Sequence, residues 1–172
     1  LNMNKERVKH TLNPIYDQKS TILILGSIPS PKSREVGFYY SHPQNRFWKI
    51  LSDLFHEEIG NTNLAKQQFL LNHHIALWDV LKECEIKGAD DSSIRNIEVN
   101  DIKKILDQTQ IKKIYTTGLK ATNLYKKYCY PSTNISSIYL PSTSPANCRN
   151  YDYDRLLKEY QCIYSDVINE LY

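Results

Sequence analysis

The chain has 172 residues, of which 41% are apolar and 24% are charged, and its formal net charge is +3. This length suits one hydrophobic core, so we predict a single domain over residues 1–172, and the weak positive charge neither requires nor excludes a nucleic-acid partner. No apolar stretch is long enough to span a membrane and no signal peptide precedes the first apolar run, so we expect a soluble, cytoplasmic protein.

At the start of the chain, the only methionine stands at position 3, which predicts that Met3 is the natural start and that residues 1 and 2 precede it. Four apolar runs then predict strands. They are Thr21–Leu25, Ile75–Trp78, Lys113–Thr117 and Ser136–Leu140. Because helical patterns lie between these runs, we expect a mostly parallel sheet that is covered on both faces.

The helical patterns consist of apolar residues at helical spacing. They are a helix that begins at Pro43 and carries Phe47 to Phe55, a short helix around Ile102 to Leu106, a helix over Leu119 to Tyr130, and a wide stripe from Leu156 to Leu171. Pro43 suits the first helical position, because the first N–H of a helix has no internal partner. The polar segment from Glu85 to Asn100 is predicted to be a loop with a functional role.

The cysteines show no CxxC pair and no cluster of companion histidines. They are Cys84, Cys129, Cys148 and Cys162. Without a secretory context, this pattern favours free thiols over disulfides, a zinc site or an iron–sulfur cluster. We therefore expect no bound metal ion.

Three loops follow predicted strands, and the carboxyl ends of parallel strands share one edge of a sheet. They are Gly26 to Asn45, the segment that begins at Trp78 and Asp79, and Leu140 to Asn147. The first contains three adjacent aromatic residues, Phe38 to Tyr40, and loops rarely carry so much aromatic surface unless something stacks there. The loops predict a pocket with backbone donors and a stacking platform. The chain has no GxGxxG, GxxxxGK, HExxH or GxSxG sequence. Dinucleotide binding, P-loop nucleotide binding, zinc-protease activity and α/β-hydrolase activity therefore lack their usual sequence support.

Three motifs in a fixed order resemble the uracil-DNA glycosylase superfamily: GSIPS at 26–30, FYYSHPQNRFW at 38–48 and LPSTSPAN at 140–147. They are most similar to the hypoxanthine-DNA (deoxyinosine) glycosylases, a branch related to the mismatch-specific uracil-DNA glycosylases. The resemblance implies a three-layer α/β/α sandwich with a central, mostly parallel four-stranded sheet. It also implies an enzyme that flips a deaminated base out of DNA and hydrolyses its N-glycosidic bond without a cofactor, in base excision repair.

The resemblance implies that the catalytic residue is Asn45. In the superfamily an Asp or Asn usually precedes the proline of the first motif and positions the attacking water, and here that residue is Ile28. The hypoxanthine branch shares this departure, and its catalytic amide lies in the segment that matches 42–45. An amide is no base at neutral pH, so Asn45 would orient water while the sugar becomes cationic. Spacing alone favours a structural amide that satisfies backbone groups at a helix start.

Two residues are implied to recognise the base. Tyr40 matches the residue that stacks on the flipped base in related enzymes, whereas Phe38 and Tyr39 fit either the core or the pocket wall. Asp79 matches the position that reads the base edge, with an Asp that begins a turn as the alternative. Hypoxanthine and uracil present a ring N–H, whereas adenine and cytosine present a bare nitrogen, so an ionised Asp79 would select the deaminated bases.

The rest of the first loop is expected to contact the base and the DNA backbone. Ser27 and Ile28 would bind the base, since the backbone N–H groups of Ile28 and Ser30 can steady its departure. Ser30 and Lys32 would contact DNA, the latter through a phosphate. Lys32 is the lysine nearest to the motifs and is not a plausible nucleophile, which favours a monofunctional enzyme.

The third loop matches the segment that enters the DNA minor groove in the superfamily. Ser142 stands where many relatives have His or Asn and would donate to a base carbonyl or a phosphate. Ala146 stands where relatives insert a large apolar wedge, so Asn147 or Arg149 is the alternative contributor there. The residues of this loop that are expected to contact DNA are Ser144, Pro145, Ala146 and Asn147.

Other functions remain open at this point. One is a glycosylase specific for uracil or thymine mismatches, and another is a catalytically silent DNA-damage binding module, which Ile28 and Ala146 favour. An enzyme of the same fold that acts on a free nucleoside is a third, although the DNA-facing loop argues against it. Nothing in the sequence indicates more than a monomer.

Overall fold

A computed structural model describes residues 4–171, so the expectation that Met3 is the natural start lies outside the described residues. The elements follow in the order β1 (Glu6–Lys9), β2 (Ile22–Gly26), α1 (Pro31–Val36), α2 (Phe47–Phe55), α3 (Asn63–Asn72), β3 (Ile75–Asp79), β4 (Leu81–Lys87), β5 (Asp90–Val99), α4 (Ile102–Asp107), β6 (Lys113–Thr117), α5 (Leu119–Tyr128), α6 (Tyr130–Thr133), β7 (Ser137–Leu140), a 3₁₀ turn (Pro145–Asn147) and α7 (Tyr153–Leu171).

The four predicted strands form one parallel sheet in the order β3-β2-β6-β7. β2 lies inside this sheet, and all five of its residues are buried. A strand buried on both faces reads as a continuous apolar run, which is why the sequence alone located it. The predicted parallel sheet is therefore confirmed.

Alternate side chains of β2 point to opposite faces of the sheet, as the twofold repeat of a strand requires. Ile22 and Ile24 pack in a core with α2, α3 and α7, whereas Leu23 and Leu25 pack in a second core with α4, α5 and β4. Each of these fully buried side chains stabilises the fold by about 1.5–3 kcal/mol. Helices thus cover both faces, and the predicted three-layer α/β/α sandwich is confirmed.

The prediction of a loop from Glu85 to Asn100 is wrong. β4 and β5 form an antiparallel hairpin, with β1 paired to the other edge of β4. Gly88 and Ala89 join the two strands, and Gly88 has a φ of +56°, which glycine adopts without strain. In β4, buried Cys84 and Ile86 alternate with more exposed residues, but the polar composition of β5 and its register shifts conceal the same pattern in the sequence.

The prediction that a helix begins at Pro43 is also wrong. α2 begins at Phe47, and Arg46 is its N-cap. The main-chain N–H of Asn45 donates to the carbonyl of His42 at 2.9 Å, so residues 42–45 form a turn instead. The apolar spacing therefore identified the helix correctly, but the proline did not mark its start.

The other predicted helices are present, with small differences in their bounds. α4 and α7 contain the predicted apolar residues, and α5 ends at Tyr128 rather than Tyr130. The sequence did not predict β1, α1 or α3. No helix in residues 4–171 is long and apolar enough to cross a membrane.

Candidate functional site

The three loops predicted to converge surround a cavity of about 420 Å³ at the carboxyl edge of the parallel sheet. This volume lies within the range of small-molecule sites. The predicted site residues that line it are Ser27, Ile28, Ser30, Tyr40, Asn45, Asp79, Ser142, Ser144, Pro145 and Ala146. Lys32 and Asn147 do not line it. Lys32 Nζ lies 3.5 Å from Glu35 Oε2 on the surface of α1.

Gly26 ends β2 at the deep end of the cavity, where two other elements approach its backbone closely. A Cβ at this position would lie 2.5 Å from Asp79 Oδ1 and 3.1 Å from the Tyr40 hydroxyl. The first distance is shorter than any normal contact of a carbon atom. Only glycine permits this approach, so Gly26 sets the positions of the carboxylate and the phenol.

Asp79, the last residue of β3, is held by a residue that the sequence did not identify. Its Oδ2 lies 2.8 Å from His10 Nε2, and only 5% of the Asp79 side chain and 2% of the His10 side chain are exposed. A buried carboxylate without a partner is costly, and the imidazole offsets that cost. The pairing occupies Oδ2, whereas Oδ1 lies beside Gly26.

Tyr40 has a strained backbone and a firmly held ring. Its φ is +52°, a conformation that non-glycine residues rarely adopt and that is concentrated at functional sites. The ring stacks on Phe47, with centroids 3.9 Å apart and planes 11° apart. The hydroxyl lies 3.2 Å from Thr117 Oγ1. Burial raises the pKa of Tyr40, so the phenol keeps its proton.

The structure decides between the alternatives for the other two aromatic residues of this loop. Phe38 is 7% exposed and Tyr39 is 3% exposed, and both belong to the core under α2. Tyr39 also lines the cavity, and its hydroxyl donates to the carbonyl of Asn13 at 2.8 Å. Phe38 is thus core, whereas Tyr39 is both core and wall.

Asn45 lines the cavity immediately before α2. Its Oδ1 accepts a hydrogen bond from the N–H of Phe47 at 2.9 Å, which is the helix-start role that spacing alone favours. A carbonyl oxygen has a second lone pair, and Nδ2 has no hydrogen-bond partner within residues 4–171. The Asn45 amide can therefore form further hydrogen bonds with a molecule in the cavity. His42 Nδ1 accepts from the N–H of Gln44 at 3.1 Å, which is a structural role within the turn.

Ser30 has a local partner in addition to its place on the cavity wall. Its Oγ accepts from the N–H of Ser33 at 3.2 Å and caps α1, which begins at Pro31. Ser and Pro at these two positions are typical of a helix start, so the sequence contained the signal for α1.

The third loop is stiffened by its own hydrogen bonds. Ser142 Oγ accepts from the N–H of Ser144, and Ser144 Oγ accepts from the N–H of Ala146. Asn147 Nδ2 donates to the carbonyl of Ser142 at 3.0 Å. Asn147 therefore holds the loop in shape, whereas Ser142, Ser144 and Ala146 line the cavity.

The hairpin that was predicted to be a loop forms another part of the wall. Its contribution comprises Ile86, Gly88, Ala89 and Asp91. Ser27 Oγ donates to both carboxylate oxygens of Asp91, at 3.2 and 3.3 Å. Burial of the carboxylate raises the pKa of Asp91, and the Ser27 hydroxyl lowers it by a smaller amount.

The site shows no arrangement suited to a metal. Within residues 4–171 no group of three or more His, Cys, Asp and Glu side chains could hold an ion. All of the cysteines are free thiols in the structure.

Comparison with known proteins agrees with this architecture. The model of the uracil DNA glycosylase superfamily matches residues 14–167. The chain is 31% identical over 143 residues to a protein named hypoxanthine DNA glycosylase from Methanosarcina barkeri, an alignment that covers 83% of this chain and 90% of that protein. It is also 31% identical over 144 residues to a protein of the same name from Methanosarcina acetivorans, with the same coverage of 83% and 90%.

A solved structure has the same fold. It is the solution structure of a candidate uracil DNA glycosylase from Methanosarcina acetivorans, with a TM-score of 0.79 and 29% sequence identity. The match covers 93% of this chain and 98% of that one. The motifs, the sheet and these matches agree, and the chain belongs to the uracil DNA glycosylase superfamily.

Proposed function

We propose that this protein is a monofunctional DNA glycosylase that excises deaminated bases from DNA, hypoxanthine first and uracil second. Membership of the superfamily supports the chemistry, and the two relatives named hypoxanthine DNA glycosylase support the first substrate. The observation that carries the proposal is the carboxylate of Asp79, which His10 holds at the deep end of a cavity of about 420 Å³.

Asp79 and Tyr40 supply the recognition of the base. Asp79 Oδ1 accepts the ring N–H that hypoxanthine and uracil both present. Adenine and cytosine present a lone pair at that position, which leaves the buried carboxylate and the base nitrogen both unsatisfied. The face of Tyr40 that Phe47 does not cover stacks on the base.

Hydrolysis uses a water molecule that Asn45 orients. The base leaves with the electron pair of the glycosidic bond, and the water oxygen bonds to C1′ of the cationic sugar. The water loses one proton in this step, and the departed base takes one up from solvent. Asn45 contributes the second lone pair of Oδ1 and the free N–H groups of Nδ2. No lysine lines the cavity within residues 4–171, which supports direct hydrolysis over a lysine imine. The products are a free base and an abasic site.

The loop from Ser142 to Asn147 meets the minor groove beside the cavity. Ser142 and Ser144 donate to base or phosphate oxygens, and the short side chain of Ala146 contributes little to prising the stack apart. The protein acts on chromosomal DNA in the cytoplasm, as a monomer and without a metal ion or cofactor.

Excision from defined duplexes tests the proposal. The protein is incubated in molar excess with duplexes that contain inosine, uracil, xanthine or a thymine mismatch, and abasic sites are then cleaved with alkali. We expect strand scission to be fastest at inosine, next at uracil, and absent at adenine and cytosine. Scission only at uracil or thymine mismatches would instead identify a mismatch-specific enzyme.

A silent DNA-damage binding module is the second candidate, and two residues favour it. Ile28 replaces the polar residue that usually positions water, and Ala146 replaces the wedge. The same duplexes separate the two functions. Binding to inosine-containing DNA without any scission at enzyme excess would establish the binding module and refute the glycosylase.

A further inference from the structure

The cavity contains two carboxylates that differ in their partners and depth. Asp79 is paired with His10 and is 4% exposed. Asp91 is the second residue of β5, which follows the Gly88-Ala89 turn, and it is exposed on the hairpin. Its carboxylate turns toward the cavity and receives the Ser27 hydroxyl on both oxygens.

The contact with Ser27 places this carboxylate at the first motif. Ser27 precedes Ile28, which occupies the position where the superfamily resemblance implies a polar residue that positions water. The side chain of Ile28 cannot perform that function. The hairpin therefore places a carboxylate, a group that can position water, beside Ser27 and Ile28 of the motif that lacks one.

The two carboxylates lie at different depths, which suit the base and the sugar of a flipped nucleotide. A nucleotide enters such a cavity base first, so the base reaches the deep end and the sugar stays near the mouth. Asp79 lies at the deep end beside Gly26, where a base edge would lie. Asp91 is an exposed residue that also lines the cavity, so we infer that it lies nearer the mouth, where the sugar of a flipped nucleotide would be.

We propose that Asp91 is a catalytic residue. Its carboxylate stabilises the positive charge that develops on the sugar and accepts one proton from the attacking water. The inference rests on the proposed glycosylase function. The C1′–N bond breaks, and its electron pair leaves with the base. The water oxygen bonds to C1′, one water proton passes to Asp91 and from there to solvent, and the departed base takes a proton from solvent. Asn45 orients the water but cannot accept the proton, so the two residues have complementary roles.

The charged groups around Asp91 are consistent with this role. Lys120 at the start of α5 favours its ionised form, whereas Asp79 on β3 and Asp90 on its own strand oppose it. The thiol of Cys84 on β4 is also close enough to interact with it. The residue as a whole is exposed, but its carboxylate faces the cavity wall and Ser27. The resulting desolvation of the carboxylate has the largest effect and raises the pKa of Asp91, which makes the carboxylate a stronger base.

Asp91→Asn tests the role, with Asp90→Asn as the matched control. Asn has the shape of Asp and can still accept from Ser27, whereas Asp90 contacts Ser92 within its own hairpin. Excision of hypoxanthine is measured in single turnovers at saturating enzyme between pH 5 and pH 9. Binding is measured with duplex that contains 2′-fluoro-2′-deoxyinosine, which resists cleavage.

We expect Asp91→Asn to lower the single-turnover rate by about 100-fold or more, the usual contribution of a positioned base, with binding within a few-fold of the wild type. The wild-type rate should fall as the pH drops through the pKa of Asp91, because only the ionised form is active. That acidic limb should be missing from Asp91→Asn and present in Asp90→Asn.

Two results would overturn the role of Asp91: a single-turnover rate for Asp91→Asn close to that of the wild type, or an acidic limb that persists in this variant. Both presuppose that the wild type and Asp90→Asn excise hypoxanthine. If neither excises it, the proposed function fails, and the inference fails with it. The two failures are thus distinguishable.

Discussion

His10 Nε2 lies 2.8 Å from Asp79 Oδ2, and the two side chains are 2% and 5% exposed. The residues are far apart in the sequence and meet because β1 leads His10 under the end of β3. With Oδ2 engaged, Asp79 has one oxygen left for a ligand. On the proposed function, the imidazole would therefore position Asp79 for base recognition.

His10→Ala should weaken both stability and base recognition. Removal of one partner of a buried pair leaves an uncompensated carboxylate, which costs on the order of 3–5 kcal/mol of unfolding free energy. His10→Gln places an amide nitrogen near the position of Nε2 and should recover much of both properties. The measurements are urea unfolding and the ratio of excision rates at inosine and adenine. Equal ratios in His10→Ala and the wild type would rule out the positioning role.

Asn45→Ala should abolish excision and largely preserve DNA binding, because the amide orients water rather than holding the base. A loss of about 10²-fold or more in single-turnover rate is expected for one preorganised polar group. The substitution also removes the acceptor for the Phe47 N–H, at a cost of about 1 kcal/mol of stability.

Asn45→Asp separates these two effects. It keeps an acceptor for Phe47 and should therefore keep the melting temperature of the wild type. Full excision activity in Asn45→Ala would refute the catalytic assignment, whatever the stability of the two variants.

Gly26→Ala should displace Asp79 and reduce discrimination against adenine. The new Cβ would lie 2.5 Å from Asp79 Oδ1, so the carboxylate or the strand must move. Gly37→Ala is the matched control, since a Cβ there meets nothing within 4 Å, although its φ of +82° costs about 1–2 kcal/mol. Both variants should lose stability, but only Gly26→Ala should lose selectivity in the oligonucleotide assay.

Tyr40→Leu should weaken binding to 2′-fluoro-2′-deoxyinosine duplex by about 1–3 kcal/mol, because the base loses its stacking partner. Tyr40→Phe keeps the ring against Phe47 and loses only the contact with Thr117, so its affinity should stay within a few-fold of the wild type. Fluorescence anisotropy measures both affinities. Equal loss in the two variants would show that the hydroxyl, not the ring face, matters.

The rates at which a thiol reagent labels the cysteines should show which surface of the protein DNA covers. Cys148 is exposed beside Asn147, whereas burial raises the pKa of Cys129 to about 11. At pH 8 only on the order of 0.1% of Cys129 is thiolate, so a thiol reagent should label Cys148 first and Cys129 only after unfolding. Inosine duplex should slow the labelling of Cys148 but not of Cys162 on α7. Unchanged labelling of Cys148 in the complex would place the DNA elsewhere.

Much of this molecule follows from local sequence. The interior strand β2 is a continuous apolar run, because a strand buried on both faces favours apolar residues. β3, β6 and β7 carry shorter apolar runs that include polar residues, and these were still long enough to be recognised as strands. The loops that form the cavity were predictable from the ends of those strands, since parallel strands bring their carboxyl ends to one edge. The motifs and the end of the second predicted strand placed Tyr40, Asn45 and Asp79 at the expected pocket, and all three line the cavity in the structure.

The tertiary structure decided what those residues contact. Asn45 precedes its helix and does not lie within it, because residues 42–45 turn before α2 begins. The sequence of the β4–β5 hairpin resembled a loop, because its exposed faces are polar and its register is irregular. The sequence therefore did not indicate that Asp91 reaches the cavity. His10 gave no local signal either. Contacts between side chains from distant parts of the chain leave no periodic pattern in the sequence. Only the packing of β1 and the hairpin against the parallel sheet shows that His10 pairs with Asp79 and that the carboxylate of Asp91 faces the cavity.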